Sequence, residues 1–422
     1  METLVINKKS DIDAIANAVR NKTGKSEPLS LAQIKTNIDE IEAKDDSVLI
    51  SILNKTIRTY ENSTMTSIAD GGAFYNCTKL NSAIFPECTY IGRETFYNCS
   101  SLINISFPKC ISIGSSAFYS CWSLFNISFP ECTSISNYAF VNCTSLTNIS
   151  FPKCVSIGSS AFSNCAKLSN ISFPECATIG SNAFSYCAKL SSASFPKCTS
   201  IGSNAFMKCE KLSNISFPEC TTIKQGAFSS CTNLTSVSFP ECTSIGYGVF
   251  YKCSGLTTAD FPKCTTISDA AFAYCSSLSN ISFPECTSIN NWAFSNCANL
   301  DNISFPECAT IGHMAFGGCT NLTNISFPKC TSIYPSAFYV CKITVADFPM
   351  CTSIGANAFY YCTNLTTLYL NASSVCTLAA SNAFTATKLS TGSIFVPLSL
   401  VESYQKATNW AYYSSRIFGY SE

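Results

Sequence analysis

A 22-residue repeat constrains the fold of this chain more than any other feature. The copy that starts at Ile157 reads IGSSAFSNCAKLSNISFPEC. Its first Phe recurs at a constant interval, at positions 74, 96, 118, 140, 162, 184, 206, 228, 250, 272, 294, 316 and 338, and follows Ala in all but two copies. The next interval, to Phe359, is shorter by a single residue, and a less regular copy contains Phe384. A single copy cannot bury its apolar residues, whereas a stack of copies can, so the repeat predicts a solenoid.

The spacing of apolar residues within a copy predicts one short strand. Leu102, Ile105, Phe107 and Cys110 stand at positions 1, 4, 6 and 9, which is the L-x-x-L-x-L-x-x-C spacing of leucine-rich repeats. Alternation along a strand places positions 4 and 6 on the buried face and positions 3 and 5 on the other face. Pro at position 7 ends the strand because it lacks a backbone N–H. The second half of the copy, around Phe118, is predicted to return in a short helical or 3₁₀ arc.

The whole pattern also resembles a known family. IGxxAFxxCxxLxxIxFPxC is similar to the BspA-type (Treponema-type) bacterial leucine-rich repeat over residues 66–390. The resemblance implies a solenoid that acts in adhesion and protein binding without catalysis. Frequent Cys, and Phe-Pro where Ile-Pro is common, depart from the family pattern. The predicted fold is a β-rich α/β leucine-rich repeat solenoid of about 14–15 repeats, with a small helical N-terminal module and a C-terminal helical cap.

Composition divides the chain into four parts. Residues 1–46 are predicted to form a helical attachment module, residues 47–70 an N-terminal cap made of a strand pair, residues 71–390 the solenoid, and residues 391–422 a C-terminal strand–helix cap. Within the first part, residues 15–43 resemble the short N-terminal modules of tail and fibre proteins from phages of Gram-positive bacteria. Within the last part, SIFVP is predicted to be a strand, and Ser399 with Glu402 is predicted to cap a helix over residues 400–417.

The 28 cysteines stand in register with the repeat. Fourteen follow AFxx, thirteen follow FPx, and Cys376 lies in the last copy. Their wide spacing, as from Cys77 to Cys88 and on to Cys99, lacks the close CxxC pairs of a zinc site. Side chains stacked about 4.8 Å apart are farther apart than the roughly 3.8 Å between Cβ atoms that a disulfide prefers. Disulfides and zinc sites stay open as alternatives, and the favoured interpretation is free thiols that act as small buried apolar groups.

The residue after each Phe-Pro is charged in twelve of thirteen copies. The column reads Glu87, Lys109, Glu131, Lys153, Glu175, Lys197, Glu219, Glu241, Lys263, Glu285, Glu307, Lys329 and then Met350. Stacked repeats are expected to place these side chains next to one another, so that alternating charges attract along the column. The alternation also indicates duplication of a double repeat.

Two sets of residues are candidates for ligand contact. Outward strand positions carry an amide lattice that can bind glycan or simply keep a sheet face solvated: Asn104, Asn126, Asn148 and Asn170. Aromatic residues that the repeat does not require are typical of contact surfaces, although they can also fill space between repeats. They are Tyr97, Tyr119, Trp122, Tyr138, Tyr247, Tyr251, Tyr274, Trp292, Tyr334, Tyr339, Tyr360 and Tyr361.

The sequence favours a binding protein over an enzyme. The single histidine, His313, excludes a Ser-His-Asp set, and no catalytic, metal or cofactor site is predicted. The 26 basic and 26 acidic residues cancel, so we expect no nucleic-acid partner. No apolar stretch of membrane-spanning length occurs, so we expect no membrane insertion.

Two functional hypotheses follow. The first is a phage tail fibre or receptor-binding component, located in the virion and made in the host cytoplasm. It recognises a cell-surface protein or glycan, and residues 1–46 join it to other virion proteins or to further copies of itself as a homo-oligomer. The alternative is a bacterial or protist BspA-like adhesin, located at the cell surface or outside the cell, that binds host proteins.

Overall fold

The computed structural model describes residues 51–52 and 54–420. The predicted helical module of residues 1–46 lies outside the described residues. Two compact units divide the chain, Met1–Ser216 and Phe217–Glu422, called here the N-terminal unit and the C-terminal unit.

The N-terminal unit is built from pairs of very short parallel strands. Each repeat contributes a longer first strand and a shorter second strand, and each strand pairs with its equivalent in a neighbouring repeat. The strands are β1 Thr59–Glu61, β2 Ser67–Ile68, β3 Ser82–Ile84, β4 Tyr90–Ile91, β5 Asn104–Ser106, β6 Ser112–Ile113, β7 Asn126–Ser128, β8 Ser134–Ile135, β9 Asn148–Ser150, β10 Ser156–Ile157, β11 Asn170–Ser172, β12 Thr178–Ile179, β13 Ser192–Ser194, β14 Ser200–Ile201 and β15 Asn214–Ser216.

The C-terminal unit repeats the same arrangement and ends in two longer strands. Its strands are β16 Thr222–Ile223, β17 Ser236–Ser238, β18 Ser244–Ile245, β19 Thr258–Asp260, β20 Thr266–Ile267, β21 Asn280–Ser282, β22 Ser288–Ile289, β23 Asn302–Ser304, β24 Thr310–Ile311, β25 Asn324–Ser326, β26 Ser332–Ile333, β27 Val345–Asp347, β28 Ser353–Ile354, β29 Thr367–Tyr369, β30 Thr377–Leu378, β31 Ser393–Pro397 and β32 Ile417–Tyr420.

The first strand confirms the predicted alternation. In β7 the flanking Asn126 and Ser128 are exposed while Ile127 is buried, and the strand ends just before Phe129-Pro. The second strand was not predicted. Its Ser-Ile pair is too short to show alternation in the sequence.

The predicted helical or 3₁₀ arc after the second strand is wrong. Residues 115–120 form consecutive turns, and the same pattern recurs in the other regular repeats of both units. We call this part of each repeat the turn segment. Ser116 and Ser120 take left-handed backbone angles, with φ of 55° and 56°. Two such residues so close together interrupt the negative φ angles that a helix requires.

Phenylalanine, leucine, isoleucine and cysteine fill the interior of each unit. In the N-terminal unit, Phe rings of the AF position stack on one another with centroids 5.0–5.3 Å apart. The Phe rings of the Phe-Pro position contact this stack at steep angles. For example, the ring planes of Phe151 and Phe162 meet at 68°. The apolar core of the unit is therefore a continuous stack of aromatic rings that runs from repeat to repeat.

Residues 54–70 do not form the predicted strand pair. Strand β1 pairs with β3, and β2 pairs with β4. The two strands therefore begin two different sheets, as the first and second strands of every other repeat do.

The C-terminal segment differs from the predicted long helix. The predicted strand is confirmed as β31, but the helix α1 covers only Val401–Lys406, with Leu400 as an N-cap that makes no side-chain hydrogen bond. The capping box of Ser399 and Glu402 is thus absent. Short 3₁₀ helices lie at Ser381–Phe384, Lys388–Ser390, Leu398–Leu400 and Trp410–Arg416.

The C-terminal segment packs against the last repeat through two aromatic residues. Tyr404 and Trp410 are fully buried. The Tyr404 hydroxyl accepts from the Cys376 N–H at 2.9 Å, and Trp410 Nε1 donates to the Cys376 carbonyl at 2.6 Å. These bonds satisfy backbone groups of the last repeat that no further repeat pairs with.

Candidate binding surfaces

The first strands do not form continuous sheets within either unit. In the N-terminal unit, pairing is interrupted between β5 and β7 and again between β9 and β11. In the C-terminal unit, it is interrupted between β21 and β23 and between β25 and β27. The second strands behave differently, because they pair at every step within each unit.

Each interruption is also visible in the residues that follow the first strands. The N–H of Phe129 donates to the Ser150 carbonyl at 2.9 Å, and that of Phe173 to the Ser194 carbonyl at 3.0 Å. Among the described residues, the N–H groups of Phe107 and Phe151 make no equivalent bond. The Phe-Pro rings spread accordingly: centroids are 5.3 Å apart for Phe129 and Phe151, where the strands pair, but 6.1 Å apart for Phe107 and Phe129, where they do not.

The charged residues that follow Phe-Pro form separate ion pairs. The sequence predicted attraction along the whole column, and this prediction is wrong. Lys153 Nζ lies 2.6 Å from Glu131 of the preceding repeat, and four more bridges share this direction, Glu87–Lys109, Glu175–Lys197, Glu241–Lys263 and Glu307–Lys329. In the part of the chain that the structure describes, no bridge runs from a Lys to the Glu of the following repeat. Each bridge joins two repeats whose first strands pair, and the interruptions within the units follow Lys109, Lys153, Glu285 and Lys329.

Two surface grooves lie at the interruptions of the N-terminal unit. The first groove, between β5 and β7, is lined by Ile105, Ser106, Phe107, Pro108, Asn126, Ile127, Ser128 and Pro130. The second groove, between β9 and β11, is lined by Ile149, Ser150, Phe151, Pro152, Asn170, Ile171, Ser172, Pro174, Ser192 and Ser194. Ile105 and Ile149 are half-buried at the groove edge, whereas Ile127 and Ile171 are buried. The lining residues carry no charge.

The predicted asparagines lie beside these grooves with ordered amides. Asn148 Nδ2 donates to Asn126 Oδ1 at 2.9 Å. Asn170 Oδ1 accepts from the hydroxyls of Ser191 and Ser192, at 2.9 and 2.7 Å. The oxygen and nitrogen of an amide lie on opposite sides of its carbon. In the second groove, Asn170 is a lining residue whose Nδ2 lies on the side away from Ser191 and Ser192. Asn148 adjoins the lining residue Ile149, and its Oδ1 lies on the side away from Asn126. Asn104 is exposed in β5.

The predicted aromatic residues lie elsewhere in the repeat. All but Trp122 and Tyr334 occupy turn segments, whereas the asparagines occupy first strands. Tyr97 stacks between Tyr75 and Tyr119, at centroid distances of 4.8 and 4.7 Å. Tyr339 and Tyr360 stack at 5.7 Å, and Tyr361 contacts Tyr360. The structure thus brings neighbouring aromatic residues together but does not join them with the asparagines in one site.

Several aromatic residues are exposed in left-handed backbone conformations. Tyr138, Tyr274 and Trp292 have φ of 61°, 64° and 54° and expose 46%, 47% and 41% of their surface. The Tyr274 ring also meets Tyr251 edge to face, and that of Trp292 meets His313. Equivalent positions in other repeats carry mostly Ser, Asn or Gly, of which Asn and Gly adopt this conformation with less strain, but Glu94, Ala270, Met314, Lys208, Lys252 and Val340 also occupy them.

The remaining candidates are also at the surface, and the sequence prediction omitted two similar residues. Trp122, Tyr247 and Tyr334 expose about half of their surface. The omitted residues are Tyr75, which begins the tyrosine stack, and Tyr186, which is exposed with φ of 61°. Both occupy repeat positions already recognised as variable, so the sequence contained the signal.

All 28 cysteines are free and buried, as the favoured interpretation predicted. The structure also explains why Cys is used. Cys187 Sγ donates to the Phe162 carbonyl at 3.2 Å, and Cys176 Sγ to the Thr178 carbonyl at 3.3 Å. A thiol fills a small apolar space and still satisfies a backbone acceptor. Burial raises the pKa of the Cys187 thiol to about 12 and that of Cys198 to about 11.

Two other kinds of site are not found among residues 51–52 and 54–420. These residues contain no group of three or more His, Cys, Asp or Glu side chains arranged to hold a metal ion. They also contain no helix long and apolar enough to cross a membrane.

Stacked parallel strands and a repeated core define a leucine-rich repeat solenoid in each unit. A family model described as a BspA type leucine rich repeat region matches residues 66–191, 199–311 and 287–407. The chain belongs to the BspA-type leucine-rich repeat family.

The chain is also similar to solved structures. A leucine-rich repeat protein from Bacteroides ovatus is 29% identical, with a TM-score of 0.60, over 77% of this chain and 84% of that chain. A leucine rich cell surface protein from Faecalibacterium prausnitzii is 28% identical, with a TM-score of 0.40, over 62% of this chain and 83% of that chain. No curated protein sequence matches the chain.

Proposed function

We propose that the protein is a non-catalytic binding protein that attaches to a cell-surface protein or glycan through its repeats. Membership of the BspA-type family supports an adhesion role of this kind. The observation that carries the proposal is the set of exposed aromatic residues held in left-handed backbone conformations.

These aromatic residues oppose stability, which argues for a role outside folding. A bulky residue with positive φ costs about 1 kcal/mol or more compared with residues that tolerate this region. Tyr138 is largely exposed, whereas the equivalent Ser160 and Asn182 serve the same turn without a large side chain. Exposed tyrosine and tryptophan are favoured at contact surfaces because they bury much area with little loss of conformational entropy.

Replacement of Tyr138 by the residue that the repeat prefers tests the proposal. We expect Tyr138→Asn to raise the free energy of unfolding by about 1 kcal/mol, because the backbone strain is relieved. Labelled full-length protein is expected to bind intact cells saturably within a panel of bacterial and animal cells. Tyr138→Asn combined with Trp292→Asn is expected to weaken that binding.

Ser160→Asn is the matched control, since it introduces Asn at the equivalent position of the next repeat without removing an aromatic ring. It is expected to leave binding unchanged. No saturable binding to any cell, or equal binding by the aromatic variants, would overturn the proposed contact role.

We further propose a more specific setting, a phage tail fibre or receptor-binding component that resides in the virion. The similarity of residues 15–43 to N-terminal modules of phage tail and fibre proteins supports it. Deletion of residues 1–46 is expected to abolish incorporation into virions, measured by mass spectrometry of purified particles. Retained incorporation would contradict the attachment role and favour the alternative, a BspA-like adhesin at a cell surface.

A further inference from the structure

We infer that the two grooves of the N-terminal unit bind an extended β-1,4-linked glycan of N-acetylhexosamine residues. This inference rests on the proposed binding function and identifies a ligand class and a site for it. The aromatic turn segments are not part of the site.

The spacing of the grooves carries the first step. The first groove follows β5 and the second follows β9, so they are two repeats apart, which corresponds to about 10 Å at the usual strand spacing. In an extended β-1,4-linked chain, successive sugars face opposite ways, and the same groups recur on one side at every second sugar. The disaccharide repeat of such a chain has a similar length. One glycan lying across the strands therefore presents equivalent groups to both grooves.

The chemistry of the second groove carries the next step. Ile149, Pro152 and Pro174 provide apolar lining, and Asn170 Nδ2 provides a donor within the lining. Asn148, the neighbour of Ile149, directs Nδ2 to Asn126, which leaves its Oδ1 as an acceptor beside the groove. An acetamido group carries a methyl, an N–H and a carbonyl. Its methyl fits the apolar lining, its N–H donates to Asn148 Oδ1, and its carbonyl accepts from Asn170 Nδ2.

The charge distribution favours a neutral ligand. Lys109 and Lys153 lie at the ends of the strands that precede the grooves, and Glu131 and Glu175 at the ends of those that follow. Each of these four groups forms its bridge on the side away from the groove. The grooves therefore present hydroxyls and amides without a net charge, as a neutral polysaccharide requires.

The equivalent asparagine of the C-terminal unit provides a matched control. Asn302 begins the strand after an interruption, as Asn170 does. Its Nδ2, however, donates to Asp301 Oδ2 at 3.1 Å, and its Oδ1 accepts from Asn324. Both sides of this amide are already engaged, and an acidic group lies beside it. We therefore expect Asn302 not to take part in glycan binding.

Calorimetric titration of the full-length protein tests the inference. The probes are chitobiose, chitotetraose and cellotetraose, the last having the same linkage without acetamido groups. Chitotetraose is long enough to reach both grooves and is expected to bind at least about tenfold more tightly than chitobiose. It is also expected to bind at least about tenfold more tightly than cellotetraose, which leaves the groove amides without acetamido partners.

Variants locate the binding. Asn170→Ala is expected to weaken chitotetraose binding about tenfold, and Ser150→Tyr, which fills the second groove, is expected to reduce it to the level of chitobiose. Asn302→Ala is expected to leave it unchanged. Unaltered thermal unfolding of each variant shows that the fold is intact.

Absent chitotetraose binding, equal binding of cellotetraose, or an equal effect of Asn170→Ala and Asn302→Ala would overturn the inference. If cells are still bound in any of these cases, the proposed binding function stands without this ligand. If neither chitotetraose nor any cell is bound, both fail.

Discussion

The two strands of each repeat differ in how they are held to their neighbours. Within each unit, second strands such as β10 and β12 pair at every step, and turn segments beside them add bonds such as that from the Phe162 N–H to the Ala183 carbonyl at 2.7 Å. First strands pair only in groups of two to four. The repeat is thus closely joined along one side and interrupted along the other.

The difference shows that a nearly uniform repeat can still vary in how its copies are joined. Asn-Ile-Ser recurs in eight first strands, yet some steps between these strands are paired and others are interrupted. Glu131 and Lys153 bridge across a paired step, whereas Lys153 and Glu175 face an interruption without a bridge. The continuous side supplies stability, and the interrupted side supplies grooves.

Removal of one core phenylalanine should have the largest effect on stability. Phe162→Ala is expected to lower the free energy of unfolding by about 3–5 kcal/mol. Phe151→Ala is expected to cost less, because its stacking neighbours lie at 5.3 and 5.9 Å, compared with 5.1 and 5.3 Å for Phe162. Denaturant unfolding of both variants measures the difference, and a smaller loss for Phe162→Ala would contradict the contrast between the two sides.

Alkaline pH should reveal the buried thiols. Cys187 has a pKa of about 12 in the folded protein and 9.0 ordinarily, because burial disfavours the thiolate. The unfolded chain therefore loses this proton first as pH rises, so the stability contribution of Cys187 is complete below pH 9 and declines above it. The loss is about 1.4 kcal/mol per pH unit between pH 9 and 12.

A single replacement isolates that contribution. Cys187→Ala is expected to make the slope of unfolding free energy against pH shallower by about 1.4 kcal/mol per pH unit over this interval, while the other buried cysteines keep the rest of the slope. Cys198→Ala serves for comparison. It is expected to make the slope shallower by the same amount, but only up to about pH 11, which is the pKa of Cys198 in the folded protein. If both variants keep the slope of the parent protein above pH 9, the account of the thiols is wrong.

Loss of one charge pair should have the smallest effect. Glu131→Gln is expected to lower the free energy of unfolding by about 0.5 kcal/mol, since its bridge to Lys153 is about half exposed. Glu285→Gln makes the same change in the same column, but Glu285 forms no ion pair among the described residues. It is expected to have no effect, and a similar loss in both variants would rule out a role for the pairs.

The core and the first strand could be predicted because they depend on spacing alone. Leu102, Ile105 and Phe107 repeat at a strand period, and Pro108 ends the strand whatever its neighbours are. The turn segment was mispredicted because Ser116 and Ser120 give no local sign that they adopt positive φ, which the stacking of neighbouring repeats imposes.

The grooves could not be predicted from the residues that form them. Ile127 is buried and Ile149 is half-buried, although both stand in the same Asn-Ile-Ser sequence. The Glu–Lys alternation contained the two-repeat period, but only the structure shows that the bridges have one direction. Amide orientation at Asn148 and Asn170 depends likewise on contacts between repeats.

Amide hydrogen exchange compares the two sides in one experiment. Phe85, Phe129 and Phe173 donate their N–H groups to the next repeat, while Phe107 and Phe151 lie at interruptions. We predict slow exchange for the first three amides and exchange at least tenfold faster for the other two, measured by NMR on the full-length protein. Uniform protection of all five would contradict the interrupted sheet and the grooves that depend on it.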